Sequence, residues 1–226
     1  YLSPETTAKI FAGEITKWND PAIVKDNNRT VKTVVYRTKN GDVVKDKAGN
    51  PVVLRKATKK ISYTLPNRAI KVIYRADKSG TSGNFTAWLS GVAPTLWNKP
   101  KNDTFVTAFP GNINAAGNIG RIVGANFSAG VSQLAAATKY SITFAEVSYG
   151  TKYGLKSAAI GNASGNYALP TGAATAAFLG SATVDSKGIF KFDYNTKEAG
   201  AYTLGIITYM LGDTDYKNKA ALPAIK

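Results

Sequence analysis

Cysteine and histidine are both absent from the 226-residue chain. Without cysteine this stretch has no disulfide, thiolate metal site, thiol nucleophile or lipid-bearing cysteine. Without histidine the usual general base and metal ligand are missing as well, which weighs against triad hydrolases and zinc enzymes. Carboxylate or lysine chemistry stays formally open, yet Glu146, considered as a catalytic acid, has no partner carboxylate. No catalytic role, metal or cofactor is therefore expected. Long apolar runs are lacking too: the longest, near 202–211, falls short of the ~20 residues that span a bilayer. The chain opens directly on Leu2-Ser3-Pro4-Glu5, a helix start rather than a signal peptide, so any targeting segment is expected upstream.

Acidic residues are scarce. Fourteen Asp and Glu stand against 29 Lys and Arg, a formal charge of +15, which favours an anionic partner such as a small oxyanion, a cell-surface polymer or nucleic acid. No RNA-recognition, zinc-finger or basic-zipper pattern accompanies the charge, so specific nucleic-acid binding is not expected, and much of the lysine reads as solvated surface. At 44% hydrophobic residues the chain can bury a core as one large or two small domains.

What is present centres on Tyr74-Arg75-Ala76-Asp77-Lys78-Ser79-Gly80-Thr81-Ser82-Gly83-Asn84-Phe85-Thr86. The alternating, β-branched residues 69–74 predict a strand, and Phe85, Trp88 and Leu89 recur at helical spacing behind the turn. The first amides of such a helix have no partner within it and point outward with the positive end of its dipole, where an anion can sit. Ser79 is placed to cap the helix, Gly80 to let a ligand approach the backbone, and the Thr81 and Ser82 hydroxyls to add donors. Arg75 supplies a flat, two-pronged donor for a tetrahedral oxyanion, with Asp77 two residues on to hold its guanidinium. Ser-Gly-Thr-Ser taken alone is an ordinary N-cap.

The wider pattern over 75–89, Arg-x-Asp-x-Ser-Gly-Thr-[Ser/Thr]-x-x-Phe-Thr-x-[Trp/Tyr]-Leu, resembles the phosphate-contacting segment of the periplasmic phosphate-binding proteins that serve high-affinity phosphate ABC importers. The resemblance implies that Arg75, Ser79, Gly80 and Thr81 grip inorganic phosphate, with Asp77 orienting Arg75 and Ser82 in support. Residues 10–20 are similar to the same family's Ile-Phe-x-Gly-x-Ile-x-x-Trp-x-Asp stretch, with Phe11 and Trp18 as expected core anchors. Residues 141–149 resemble its Ser-Ile-Gly-Tyr-Val-Glu-x-Ser-Tyr segment, with Thr143 in place of glycine. Ser128 and Gly130, at the start of a helix running to 137, are implied as secondary contacts. Residues 155–167 match in outline, and 201–211 resemble the family's return strand, with Thr203 in place of proline.

Elsewhere local patterns carry the reading. Ser3-Pro4-Glu5 and Asp20-Pro21 each open a short helix, and Gly13 ends the first. Alternating runs from 30 to 63, broken at Asn40-Gly41 and Gly49-Asn50, predict β-hairpins, and ten Lys and Arg between 29 and 60 make this segment strongly basic. Gly117-Asn118-Ile119-Gly120 and 150–157 lack the spacing of a dinucleotide fingerprint or a P-loop.

The expectation is an α/β, periplasmic-binding-protein-like lobe of the type II, Venus-flytrap kind, with a central mixed sheet and a β-hairpin insertion. Residues 1–212 would form the second lobe, interrupted at about 30–63, and 213–226 would begin a return to a first lobe not contained in the stretch. The implied function is extracytoplasmic capture of inorganic phosphate, periplasmic or at the cell surface, for an ABC importer permease. The other class is a surface protein that reuses the lobe and binds anionic polymers or protein subunits through its basic hairpin. The family's discriminating aspartate belongs to the first lobe, so this lobe alone is expected to bind weakly, with little preference over sulfate.

Overall fold

A computed structural model describes residues 1–40 and 42–207. Helix α1 (Pro4–Phe11) starts where the Ser3 hydroxyl accepts from the Thr6 amide at 3.2 Å, with Pro4 at a position that needs no N–H. Gly13, at φ +83°, turns the chain away, and a Cβ there would meet Asn118 Oδ1 at 2.8 Å. Helix α2 (Pro21–Asn27) repeats the device, with Asp20 accepting from the Ala22 amide at 2.9 Å.

Strand β1 (Arg29–Tyr36) leads through the short pair β2 (Thr38–Lys39) and β3 (Asp42–Val43) to β4 (Val53–Ile61), and β1 pairs antiparallel with β4 from Arg29 opposite Ile61 to Tyr36 opposite Val53. Asp46 ties the intervening turn by accepting from the Ala48 and Asn50 amides, both at 2.9 Å. The expected hairpin is thus present as one long ribbon. Apart from half-buried Ala57 and Ile61, β4 is exposed on both faces, so this strand contributes little to the core. At its base the Arg29 guanidinium lies over the Tyr1 and Tyr167 rings, 4.3 and 3.9 Å from their centroids.

The central part of the chain carries the site: β5 (Lys71–Arg75), α3 (Gly80–Val92), α4 (Phe105–Ala108), β6 (Ile122–Ala125), α5 (Phe127–Ala137), β7 (Ser141–Thr143) and α6 (Val147–Lys152). The sheet order is β6-β5-β7 and both pairings are parallel, with Val72 opposite Ile122 on one side and Ile142 on the other. Parallel neighbours need crossover connections; the chain takes one through α3 to β6 and another through α5 to β7, on the far side of β5. Where the sequence predicts a mixed sheet, the three described strands of the central sheet are all parallel. Among the described residues antiparallel strand pairs form separate ribbons: the hairpin, β8 (Ile160–Gly161) with β9 (Tyr167–Ala168), and, after α7 (Gly172–Gly180), β10 (Thr183–Val184) with β11 (Phe190–Lys191), while an isolated antiparallel bridge joins Lys17 to Ala69 just ahead of β5.

The core lies between α1, α3 and the sheet, and aromatic rings dominate it. Phe85 stacks on Phe144 with centroids 4.3 Å apart, and Phe11 meets Phe85 edge-on at 4.7 Å. Phe11 is buried as expected, but Trp18 is only half-buried at the margin, its indole N–H donating to the Tyr140 carbonyl at 3.0 Å. Thr143 uses its hydroxyl to bond the Ile73 carbonyl on β5 at 2.8 Å. Thr203 accepts from the buried Trp88 indole at 2.9 Å, an acceptor a proline side chain lacks. Of the strand expected over 201–211, the described part, to 207, is not strand; the remainder lies outside the described residues. No helix among the described residues is long and apolar enough to cross a membrane.

Candidate anion site

Three strand ends converge at the carboxyl edge of the sheet, beside the central strand where the chain order switches sides, the usual place for a ligand in an open α/β sheet. Arg75 is the last residue of β5, Ser128 follows β6 in the first turn of α5, and Glu146 follows β7 at the N-cap of α6. Arg75 is only 7% exposed. Its Nε and Nη2 donate to the two carboxylate oxygens of Asp77 at 2.8 and 2.5 Å, and Nη1 donates to Ser128 Oγ at 2.8 Å. Of the five guanidinium N–H groups, two remain without an acceptor among the described residues. A planar fork held this way presents charge in one direction and loses little entropy when an oxyanion arrives.

Asp77 is held in turn by the Phe127 amide, which donates to Oδ1 at 2.8 Å. Phe127 sits at φ +62°, a left-handed conformation that begins α5 and points this amide at the carboxylate. The hydrogen bond from Arg75, aided by the Phe127 amide and the positive charge, holds the Asp77 carboxyl well below the usual carboxylate range. The folded chain therefore binds this proton more weakly than the unfolded one, so the pair's stabilisation is complete above the ordinary carboxylate range and drains away as pH falls beneath it. Urea unfolding should show wild-type stability dropping below about pH 4, while Asp77→Asn starts lower and changes less over the same interval. Parallel curves would mean that the pair contributes nothing to acid lability.

The helix start is built as its sequence predicts. Ser79 Oγ accepts from the Thr81 amide at 3.1 Å and the Ser79 carbonyl takes the Gly83 amide at 2.9 Å, while the exposed Gly80 amide has no acceptor among the described residues. A Cβ on Gly80 would meet nothing within 4 Å. At Gly83 a Cβ would strike Asp103 Oδ1 at 2.2 Å, because the Asp103 loop closes on the turn and accepts the Ser79 amide.

Two expected donors are used otherwise. Ser82 is fully buried on the inward face of α3 with Phe85, Thr86 and Leu89, and its hydroxyl has no partner among the described residues; it does not present a donor to a ligand. Thr81 Oγ donates instead to Glu146 Oε1, at 2.6 Å. Of the two secondary contacts, Ser128 joins the site through Arg75, whereas Gly130 turns its side-chain position towards Ala125, 3.9 Å from a Cβ placed there. Glu146, weighed from the sequence only as a lone catalytic acid, stands beside the turn instead. Burial pushes its carboxyl up, but the Ser128 and Thr81 hydroxyls and the charge of Arg75 outweigh burial and leave it below its ordinary value, hence ionised at neutral pH. Among the described residues the Thr81 contact closes to a hydrogen bond, and Oε2 is buried without one. A cavity of about 570 Å³ adjoins the site through Thr81 and Glu146 but is walled largely by apolar residues, Phe11, Phe85, Trp88 and Phe144 among them, and offers an anion little.

Fold and site together define an α/β domain of the periplasmic-binding-protein kind, with an oriented arginine and a helix start at the end of its central strand. The chain belongs to the PBP superfamily: the PBP superfamily domain model matches residues 1–224. Among curated proteins it is similar to "Phosphate-binding protein PstS2" of Mycobacterium bovis (strain BCG / Pasteur 1173P2), 29% identical over 100% of this chain and 50% of the relative. It is also similar to "Phosphate-binding protein PstS 3" of Mycobacterium tuberculosis (strain ATCC 25618 / H37Rv), 27% identical over the same shares. "Phosphate-binding protein PstS" of Pasteurella multocida (strain Pm70) is 29% identical over 75% of this chain and 37% of its own length. The chain thus spans about half the length of the curated relatives it matches first.

Proposed function

We propose that this chain is the phosphate-gripping lobe of an extracytoplasmic solute-binding protein that captures inorganic phosphate for an ABC importer permease. The observation that carries the reading is Arg75: a nearly buried guanidinium, oriented by Asp77 and Ser128, with two N–H groups unspent beside the exposed Gly80 amide. A tetrahedral oxyanion matches that set, because it accepts from the fork and from a helix N-terminus at once. The names of the relatives supply phosphate as the oxyanion. Phe127 and Val147, 66% and 49% exposed, adjoin Asp77 and Glu146 and give a facing lobe apolar surface to close upon.

A single wall of such a clamp leaves the anion partly hydrated, so this chain alone should bind phosphate at roughly millimolar strength. The β1–β4 ribbon supplies none of the contacts described, and replacing 30–61 by a short Gly/Ser linker should leave that binding unchanged. The measurement is an NMR titration with phosphate at constant ionic strength, monitored at the Gly80 and Thr81 amides. Saturable shifts in both proteins are expected. Absence of shifts at these amides would overturn the reading, and their loss in a folded ribbon-less protein would place the site elsewhere.

A further inference from the structure

The β1–β4 ribbon supplies nothing to the anion site, yet residues 29–60 carry ten of the chain's 29 Lys and Arg and only two acids, Asp42 and Asp46. The Asp46 carboxylate is already engaged by the Ala48 and Asn50 amides. The antiparallel register sorts the cations by face, because residues directly opposite share a face and successive residues of a strand alternate. Lys32 lies opposite Thr58 and Lys60 opposite Thr30, so Lys56, Lys32 and Lys60 stand on one face at successive two-residue steps. Each step is about 7 Å along the ribbon. Arg55 and Lys59 take the other face. All five are exposed, and among the described residues none has an ion-pair or hydrogen-bond partner. The base of the ribbon is tied to the lobe: Asn28 Oδ1 accepts from Ser62 Oγ at 2.9 Å and from the Tyr63 amide at 3.0 Å, and Arg29 lies over two tyrosine rings.

We infer that this ribbon is a docking arm for a flexible, linear phosphate polymer, separate from the site at Arg75. This role is independent of the reading of Arg75 as an anion site. Charge complementarity names the partner's sign: a row of unpaired cations repels itself when empty, and a chain with negative charge at short intervals neutralises every member of the row at once. The ribbon's shape names the rest. Two-stranded ribbons twist strongly, so cations on its two faces follow a winding line that a flexible chain can track and a flat bilayer cannot. Between Lys56 and Lys60 that face adds the Thr30 and Thr58 hydroxyls, donors for phosphate oxygens, and no aromatic residue on which a nucleobase could stack. A bare phosphate backbone fits this set better than a nucleic acid does.

The probe is long-chain inorganic polyphosphate, fluorescently labelled and titrated with this chain. Three to five neutralised phosphates predict a log–log salt slope of about −2 to −3.5. Lys32→Gln, Lys56→Gln and Lys60→Gln together should weaken binding at least about ten-fold, the worth of one charge-assisted contact or more, while arginine at the same three positions should keep it. Lys139→Gln, Lys187→Gln and Lys197→Gln remove the same charge from exposed positions outside the ribbon and should change affinity less than about two-fold, screening confining each charge to its neighbourhood. Arg75→Ala should bind the polymer as the wild type does. Equal losses in the two glutamine triples, loss of binding in Arg75→Ala, or no binding beyond that of orthophosphate would overturn the inference. Tighter binding of oligothymidylate at equal phosphate count, or of phosphatidylglycerol–phosphatidylcholine vesicles, would overturn it in favour of a nucleic-acid or a membrane surface. Should the ribbon triple fail to fold, amide shifts of the wild type decide: movement across residues 56–60 is expected, and movement confined to Gly80 and Thr81 would sink the proposal.

Discussion

Replacing Arg75 with alanine should abolish measurable phosphate binding by this chain. Two free guanidinium N–H groups are each worth about 1.5–3 kcal/mol as charge-assisted hydrogen bonds, so their loss lowers affinity by at least about a hundred-fold. Starting from roughly millimolar, that leaves no saturation within practical concentrations. Asp77 keeps the Phe127 amide in this variant, which limits the local damage. Arg75→Lys is the informative companion: it preserves the charge without the planar fork, cannot serve Asp77 bidentately and reach Ser128 as well, and should bind between the two extremes. Calorimetry or amide-shift titration of both variants, with the fold checked by circular dichroism, measures the effect. Unchanged affinity in Arg75→Ala would show that the anion sits elsewhere.

The second large effect expected is on stability. Trp97 is 1% exposed, its ring packs against Phe105 and Phe109 with centroids 5.8 and 6.1 Å away, and its indole N–H donates to the Ala8 carbonyl at 3.1 Å. It thereby joins the segment after α3 to helix α1, across 89 residues of sequence. Trp97→Ala removes the ring and its hydrogen bond and leaves a cavity among aromatic neighbours, while the Ala8 carbonyl keeps the Ala12 amide at 2.9 Å, and should cost about 3–5 kcal/mol. Against a total of about 5–15 kcal/mol for an ordinary domain, that moves a urea midpoint by a large fraction of its value. A change below about 1 kcal/mol would mean that this cluster is not where the lobe is held together.

Much of the site was legible because its parts are close along the chain. Arg75 and Asp77 lie two residues apart at a strand end, and Ser79 caps a helix that begins one residue later; strand propensity, a capping residue and a glycine are enough to read this. The Ser3-Pro4 and Asp20-Pro21 caps were legible for the same reason, as was the hairpin, whose Asp46 turn closes on amides two and four residues away. The sheet order was not. Three short strands with crossover helices carry the same local pattern whichever neighbour each pairs with, so a sheet expected to be mixed proved parallel in its described strands.

By itself the sequence determined the strand, turn and helix that carry Arg75 and the Gly80 and Thr81 amides, the hairpin, the helix caps, and the kinship that its motifs express. Only the tertiary structure decided which hydroxyls of the turn are buried. Ser82 and Thr81 are neighbours and look equivalent on paper, yet the helical rotation between them buries one completely and leaves the other partly exposed at the turn. The direction of Thr81's proton was set by Glu146, 65 residues away and brought there by β7 pairing beside β5. A hydroxyl takes its donor or acceptor character from whatever group lies nearest in space, and for Thr81 that group arrives through the sheet rather than along the chain.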